Sequence, residues 1–397
     1  MLYCIRMNVL LGADSLTLHR SGVGRMTLEI ARQVCQMAEV DALRLLVNGQ
    51  VCAMPKLDAM PDHTARLQHE TSPSKRLAML PGARAARDWL VRARIERAAA
   101  RLQAANNARV IYHEPNMIAK PFRGPTVVTF NDLSWLEHPG MHPSDRIEWI
   151  GRRLPATLRQ ATRIVAISRF TAEGVASRLG VLRSRIDVVP LAPSTLFRPV
   201  CATKAAPVLA KYGLQDRRFV LSVSTLEPRK NFDGLLRAWL RMPTVERRSF
   251  PLVIVGQSGW GTVLADTAAQ AAGNSGLLRV LGPVPDAELA MLYARCAAFA
   301  YVSFYEGFGL PLLEAMASGA AVLTSSTTAC AETAGGAALT VDPHDEDAIS
   351  AALRVVVADD ACATRLRQAG LARAADYTWS RTAALLVATW TRALDET

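Results

Sequence analysis

"AAFAYVSFYEGFGLPLLEAMASGAAVLTSSTTA", residues 297–329, passes from a short apolar run through a glycine-containing turn into a helix former, then back to a β-branched run. "AAFAYVSF" reads as a buried strand and "YEGFG" as its outgoing turn. Pro311 suits the start of a helix, where its missing amide hydrogen costs nothing, and that helix is expected to run to Ser318 and stop at Gly319. "AAVLTSS" resumes as a strand. Strand, helix and strand at this spacing make a parallel crossover unit. Glu306 then falls in the loop beyond the first strand and Glu314 in the first helical turn, both directed toward a cleft.

The same alternation extends outward in both directions. "ALRLLVN", "ARVIYHE", "PTVVTFND", "ATRIVAIS" and "RIDVVPLAP" read as strands of a first half; "RFVLSVSTLEPRKN", "FPLVIVGQ" and "LLRVLGPV" join residues 297–329 in a second. "MLYCIRMNVLLGADS" reads as a first buried strand rather than a leader peptide, because Arg6 interrupts the apolar run. Between the halves, "PLAPSTLFRPVCATKAAPVLAKYG" is proline-rich and weakly periodic, which puts a domain boundary near residues 195–210. The expected class is α/β, with two doubly wound parallel-sheet domains facing across a cleft. Ligands of such sheets bind beyond the carboxyl ends of the strands. The 397-residue length fits two domains with sizeable cores.

Composition narrows the classes further. Half of the residues are hydrophobic and 20% are charged, which favours packed domains over disorder. Seven scattered cysteines form no C-x-x-C pair, so reduced thiols in a cytosolic compartment are expected. No stretch approaches roughly 18 uninterrupted apolar residues, so no membrane crossing is expected. A formal net charge of +11 calls for an acidic partner. Much of it lies between Lys75 and Arg109, where Arg76, Arg84, Arg87, Arg92, Arg94, Arg97 and Arg101 face only Asp88 and Glu96. "ARAARDWLVRARIERAAARLQ" is a strong helix former with Trp89, Leu90 and Ile95 interleaved. Such a helix suits an anionic membrane face, and equally a solvated face of an Arg-rich protein. Nucleic acid is disfavoured because no recognition motif accompanies the charge.

"LSVSTLEPRKNFDGLLRAW" carries the second chemical signal. The strand breaks at residues 225–228, presents Arg229 and Lys230, and enters a helix through Asn231, a good N-cap residue. Two cations before a helix N-terminus suit a diphosphate, since the peptide dipoles add to the side-chain charges. Beside them, a carboxylate at Glu306 or Glu314 suits the vicinal hydroxyls of a sugar, and the glycines around Phe308 let backbone amides approach a ligand. Asp345 and Asp347 in "PHDEDA" form a D-x-D-like patch, but at a helix start where capping explains them.

Taken together, "STLEPRKN", "VIVG", "LGPVPDAELAMLY" and "SFYEGFGLPLLEAMASGAAVLTSSTTACAETAGGAALTVDPHDEDAI" resemble, in order and spacing, the retaining glycosyltransferases of family 4, which have the two-domain GT-B fold. The glutamates in the pattern of Glu306 and Glu314 are that family's signature. The likeness covers most of residues 215–355. It continues more faintly through "SGVGRMTLEI", "YHEPN", "TFNDLSWLEHPGMHP" and "AISRFTAEGV", and "YTWSRTAALLVATW" resembles the closing helix that crosses back to the N-terminal domain.

The resemblance implies an acceptor-binding domain over 1–200, a donor-binding domain over 201–378 and a crossing helix over 379–397. It implies that Arg229 and Lys230 neutralise a donor diphosphate, that Glu306 and the amides of Phe308, Gly309 and Leu310 hold the transferred sugar, and that Glu314 binds the ribose. Val284 would line the base pocket, and Gly22 and Gly24 would approach the diphosphate from the other domain, with Arg25 close by. It further implies retention of anomeric configuration by a front-face mechanism, with no metal and no cofactor. Two departures stand out. Asn131 occupies a position where many relatives carry His, and since Asn cannot take a proton near neutral pH, His113 and Asp132 are alternative contacts. Val223 and Ser224 replace a Gly-Arg pair, leaving Arg229 as the cation.

"TLEPRKN" and "NDLSWLEHP" most resemble bacterial transferases of exopolysaccharide and lipopolysaccharide assembly that use GDP-mannose. The implied acceptor is a polyprenyl-diphosphate-linked glycan at the cytoplasmic face of the inner membrane, met peripherally. Donors such as dTDP-rhamnose, UDP-glucose or UDP-galactose share these motifs. A nucleotide-sugar epimerase and a non-catalytic nucleotide-binding protein are the readings from other classes. The oligomeric state is not legible.

Overall fold

A computed structural model describes residues 6–17, 22–53 and 83–397. Chain contacts divide it into two compact units. One comprises Met1–Asn131, Glu148–Pro190 and Trp379–Thr397, and the other Asp132–Ile147 and Leu191–Thr378.

The first unit holds a seven-stranded sheet: β1 (Met7–Gly12), β2 (Val40–Val47), β3 (Gln50–Ala53), β4 (Arg109–Glu114), β5 (Thr126–Phe130), β6 (Arg163–Ala166) and β7 (Ile186–Val188), in the order β3-β2-β1-β4-β5-β6-β7. All neighbours are parallel except β2 and β3. That pair is a hairpin turned by Asn48 and Gly49, both at positive φ (49° and 77°), the conformation a two-residue hairpin turn requires. β1 and β5 are buried along their whole lengths, as parallel strands covered on both faces must be.

The second unit holds six parallel strands: β8 (Val220–Val223), β9 (Leu252–Val255), β10 (Leu278–Val280), β11 (Ala298–Tyr301), β12 (Val322–Ser325) and β13 (Leu339–Val341), ordered β10-β9-β8-β11-β12-β13. Val220, Leu252, Ile254, Ala300 and Leu323 of this sheet pack with Phe232, Leu235 and Trp239 of the Phe232–Leu240 helix and with Ile349 and Leu353. The Trp239 indole N–H donates to the Phe250 carbonyl at 3.0 Å, so a large apolar ring is buried without an orphaned donor.

Both sheets have a switch point, where successive crossovers leave in opposite directions. In the first it lies between β1 and β4; in the second it lies between β8 and β11. The loops leaving those strands therefore open a crevice at the carboxyl edge of each sheet.

Three local expectations are corrected. Residues 202–211, inside the weakly periodic proline-rich stretch, form a helix (Ala202–Lys211) that buries Ala205 and Leu209 despite Pro207; proline masked a pattern only two residues deep. The Arg-rich stretch is helical over Ala83–Asn106, but it has no single apolar face. Trp89 and Leu90 are exposed, whereas Ile95 is fully buried beside Leu10, Leu46, Val110 and Tyr112. Trp89 and Ile95 are six positions apart, about 240° around a 3.6-residue helix, so they cannot share a face. Lys75 and Arg76, and the side chains of Arg84 and Arg87, lie outside the described residues. The third concerns residues 132–147, which group with the second unit. Trp260 holds them there: its indole N–H donates to the Met141 carbonyl at 2.7 Å and the Arg146 guanidinium lies 5.3 Å from the ring centroid.

The helix Trp379–Asp395 packs in the first unit against the helix Gly22–Val34 and against β4, β5 and β6. Trp390 is fully buried, edge-on to His113, with ring centroids 5.6 Å apart. Arg392 pairs with Asp187 at 2.8 Å, and Arg163 is shared between Asp187 and Glu396. Among the described residues, no helix is long and apolar enough to cross a membrane.

Candidate active site

At the switch point of the second sheet, the loop after β8 carries Glu227, Arg229 and Lys230, and the loop after β11 carries Tyr305 and Glu306. A short 3-10 turn over Pro228–Lys230 sets the two cations, and the Arg229 carbonyl accepts the Phe304 amide at 2.9 Å, tying the loops together. Lys230 donates to Glu306 Oε1 at 2.5 Å, and the Tyr301 hydroxyl donates to the same oxygen at 2.6 Å. Arg229 donates to Glu306 Oε2 at 3.3 Å, to the Tyr305 carbonyl at 3.1 Å and to Glu227 at 3.0 Å. Lys230, Glu227 and Glu306 are each at most 9% exposed, so this is a nearly dry ionic cluster.

Electrostatics follow from that packing. Burial works to raise the Glu306 carboxyl, but the Lys230 and Arg229 charges override it and hold it down at about 2. Burial likewise works against the Arg229 charge, and Glu306, Asp132 and Glu227 override it, raising its affinity for the proton. The two cations expected to face a diphosphate are thus themselves matched by two carboxylates, Glu227 and Glu306. Glu306 Oε1 is saturated by Lys230 and Tyr301, while Oε2 retains acceptor capacity.

Asn231 takes the N-cap place at φ 57°, but its side chain caps nothing. Its amide donates instead to the carbonyls of Val302 (3.0 Å) and Pro343 (2.7 Å), pinning the loop to the sheet. The helix after β11 spans Leu310–Ala317, with Pro311 second. Glu314 therefore lies in the second turn rather than the first. It is 4% exposed and accepts from the Tyr293 hydroxyl at 3.2 Å. Gly309 sits at φ 89° before that helix; no neighbour lies closer than 3.7 Å to where a Cβ would stand, so the backbone angle, not space, demands glycine. In the first turn Pro311 has no amide hydrogen and the Leu312 amide donates to the Gly309 carbonyl at 2.9 Å, which leaves the Leu310 amide without an intrahelical acceptor. Phe308 is buried edge-on to Tyr377, and its carbonyl accepts from Thr333 at 2.6 Å. Val284 is buried in the turn between β10 and the helix Asp286–Arg295.

Asp132 belongs to this unit and accepts from the amide (3.0 Å) and hydroxyl (2.8 Å) of Ser134, a turn-forming pattern. The other residues named from sequence are in the first unit. Gly22 and Gly24 open the helix Gly22–Val34, with Arg25 beside them. Asn131 donates to the Pro115 carbonyl at 3.0 Å, and its Oδ1 is buried without a partner. His113 is fully buried with Nε2 2.8 Å from Thr129 Oγ1; burial pushes its pKa down to about 3, so it stays neutral at physiological pH. Arg229, Lys230 and Glu306 are brought into direct contact. Glu227 and Tyr301 complete their cluster and were not singled out in the sequence. Glu227 stood one residue before the Pro-Arg-Lys turn; Tyr301, as the last residue of a strand, reads as core. Asp345 caps its helix, accepting from the Ala348 amide at 2.9 Å. Among the described residues, no group of three or more His, Cys, Asp or Glu side chains is arranged to hold a metal.

Two doubly wound parallel sheets, one with a cation–carboxylate cluster at its switch point, define the GT-B class of glycosyltransferase. Residues 209–373 match the family described as Glycosyl transferases group 1, and residues 20–192 match Glycosyltransferase Family 4. The chain belongs to this family and is a glycosyltransferase. It is 32% identical to the O-antigen chain mannosyltransferase B of Escherichia coli over 94% of this chain and 96% of that one. It is 31% identical to the serotype-specific mannosyltransferase WbdA of Escherichia coli over 60% of this chain, a stretch that spans 30% of WbdA. Among solved structures, Anabaena HepE, in complex with UDP and glucose, superposes with a TM-score of 0.67 at 14% identity, covering 98% of this chain and 100% of that one. WaaG, a glycosyltransferase involved in lipopolysaccharide biosynthesis, does so at 0.66 and 14%, with the same coverage. These two establish the fold.

Proposed function

We propose that this glycosyltransferase moves mannose from GDP-mannose, with retention of configuration, onto a lipid-diphosphate-linked glycan in the assembly of an O-antigen or related surface polysaccharide. The observation that carries the chemistry is the pair of buried cations converging on one carboxylate at the switch point of the second sheet. The choice of mannose rests on the mannosyltransferases to which the chain is similar. In this reading the anomeric C–O bond to the diphosphate breaks and its electron pair stays on the departing GDP. Arg229 and Lys230 offset the charge that develops there, the place filled by a metal in other transferases. The acceptor oxygen forms the new bond on the same face, and its proton passes to the departing phosphate. Glu306 Oε2 and the backbone amides of Phe308, Gly309 and Leu310 suit the hydroxyls of the transferred sugar, and Glu314 suits the ribose. The surface carrying Trp89, Leu90 and the neighbouring arginines suits peripheral contact with the anionic cytoplasmic face of the inner membrane.

Calorimetric titration with GDP-mannose, GDP, UDP-glucose, UDP and dTDP-rhamnose in EDTA tests the donor. Selective binding of the guanine ligands is expected. A uridine or thymidine preference would keep the class and discard mannose. Sugar released as fast without acceptor as transferred with it would indicate an epimerase.

A further inference from the structure

The second sheet spends its switch point on the ionic cluster, and the first sheet has a switch point of its own. β1 ends there in Gly12 and β4 ends there in Glu114. A Cβ on Gly12 would stand 2.6 Å from Glu114 Oε2, so glycine makes room for this carboxylate. Glu114 is 6% exposed. Its Oε2 accepts from the Tyr112 hydroxyl at 2.7 Å, and its Oε1 faces the Asn116 amide at 3.3 Å. The Tyr112 hydroxyl in turn accepts the Lys120 amide at 3.1 Å, the Lys120 ammonium reaches Asp14 Oδ2 at 2.6 Å, and Asp14 Oδ1 accepts the Asn48 amide at 2.7 Å. One network thus joins the loops that leave β1, β2 and β4, and all of it lies within the first unit.

We propose that Glu114 is a positioning residue for the acceptor: its ionised carboxylate fixes the loop over residues 115–121, and through Tyr112, Lys120 and Asp14 the neighbouring loops, in the arrangement that receives the acceptor's hydroxyl groups. This rests on the reading that the chain glycosylates a hydroxylated acceptor. Ligands of doubly wound sheets gather at switch points. With the cation cluster placed at one, the second substrate has the other. Both Glu114 oxygens face donors, Tyr112 O–H and Asn116 N–H, which suits the carboxylate rather than the acid. Burial is the largest influence on its pKa and pushes it up to about 7, against the Lys120 charge and the Tyr112 hydrogen bond, with Asp14 adding to the rise. The charged groups facing it are Asp14, from the turn after β1, and Lys120, from the loop after β4.

Position and stability then pull in opposite directions. A carboxyl raised from 4.5 to about 7 contributes stability below its unfolded pKa and loses that contribution as pH rises through 7, so at pH 8 the ionised group is a cost to the fold. Glu114→Gln keeps the shape and removes the charge. With GDP-mannose as donor and octyl α-mannoside as acceptor, wild-type kcat/KM for the acceptor is expected to rise about tenfold between pH 6 and 8, one charge-assisted hydrogen bond's worth. The variant at pH 8 is expected to sit at the wild-type pH 6 value with a flat profile, a donor KM within twofold of wild type, and a Tm no lower than wild type. Acceptor kinetics in the variant equal to wild type across this range overturn the proposal. Hydrogen exchange over residues 115–121, corrected for intrinsic rates, needs no substrate. The wild-type loop is expected to gain protection from pH 6 to 8 and the variant loop to gain none. Equal protection in both proteins at both pH values overturns the role of Glu114. Failure of the wild type to glycosylate octyl α-mannoside counts against the acceptor reading alone, and the exchange data still decide Glu114.

Discussion

Lys230 illustrates what one buried charge does in this protein. Its ammonium is held by Glu306 and lies 3.3 Å from the Tyr301 hydroxyl, so it is fixed in place rather than sampling rotamers. A cation held this way costs no reorganisation when charge develops on a leaving group. Lys230→Ala should therefore lower kcat by at least ~100-fold with a smaller change in donor KM, read by steady-state kinetics. Unchanged turnover would remove Lys230 from the chemistry. Glu314, which accepts from the Tyr293 hydroxyl, is expected to behave oppositely: Glu314→Ala should raise donor KM by more than it lowers kcat. The two variants together separate transition-state stabilisation from ground-state binding.

At the scale of elements, the entry to the Leu310–Ala317 helix depends on one backbone angle. Gly309 at φ 89° turns the chain from the β11 loop into the helix, where its carbonyl accepts the Leu312 amide at 2.9 Å, and an alanine there has room for its Cβ but not the conformation. Gly309→Ala should cost about 1–3 kcal/mol of stability by urea unfolding, with donor KM rising as the helix start shifts. A variant as stable as wild type would show that the turn relaxes freely. The elements themselves were largely legible: parallel strands buried on both faces are written as unbroken apolar runs, and glycine, proline and asparagine punctuate them. The Ala202–Lys211 helix was not legible, because Pro207 interrupts a buried face of only Ala205 and Leu209. Asn48-Gly49, at the end of the "ALRLLVN" run, is a strong hairpin signal, yet only the strand before it was expected and β3 was not.

At the scale of the whole molecule, the first unit is assembled from three separated stretches of chain, and the last closes it. Trp390 from the Trp379–Asp395 helix fills the core beside His113, and Arg163, Asp187, Arg392 and Glu396 tie its end to β6 and β7. Trp390→Ala should destabilise the first unit by about 3–5 kcal/mol, with an early unfolding transition in calorimetry. A single transition at the wild-type temperature would mean the helix is dispensable.

The sequence by itself determined the alternating α/β class, the strands apart from β3 and β13, the turns that carry Arg229, Lys230 and Glu306, and the cap at Asp345, because each is encoded by residues within a few positions of one another. Tertiary structure decided how those turns meet. Lys230 and Glu306 are 76 positions apart and Gly12 and Glu114 are 102 apart, and no local pattern says that the first pair forms a neutralised cluster or that the second seats a carboxylate where a Cβ would stand. Strand order sets those distances, and strand order follows from which apolar faces bury one another most completely, a property of the whole chain rather than of any segment.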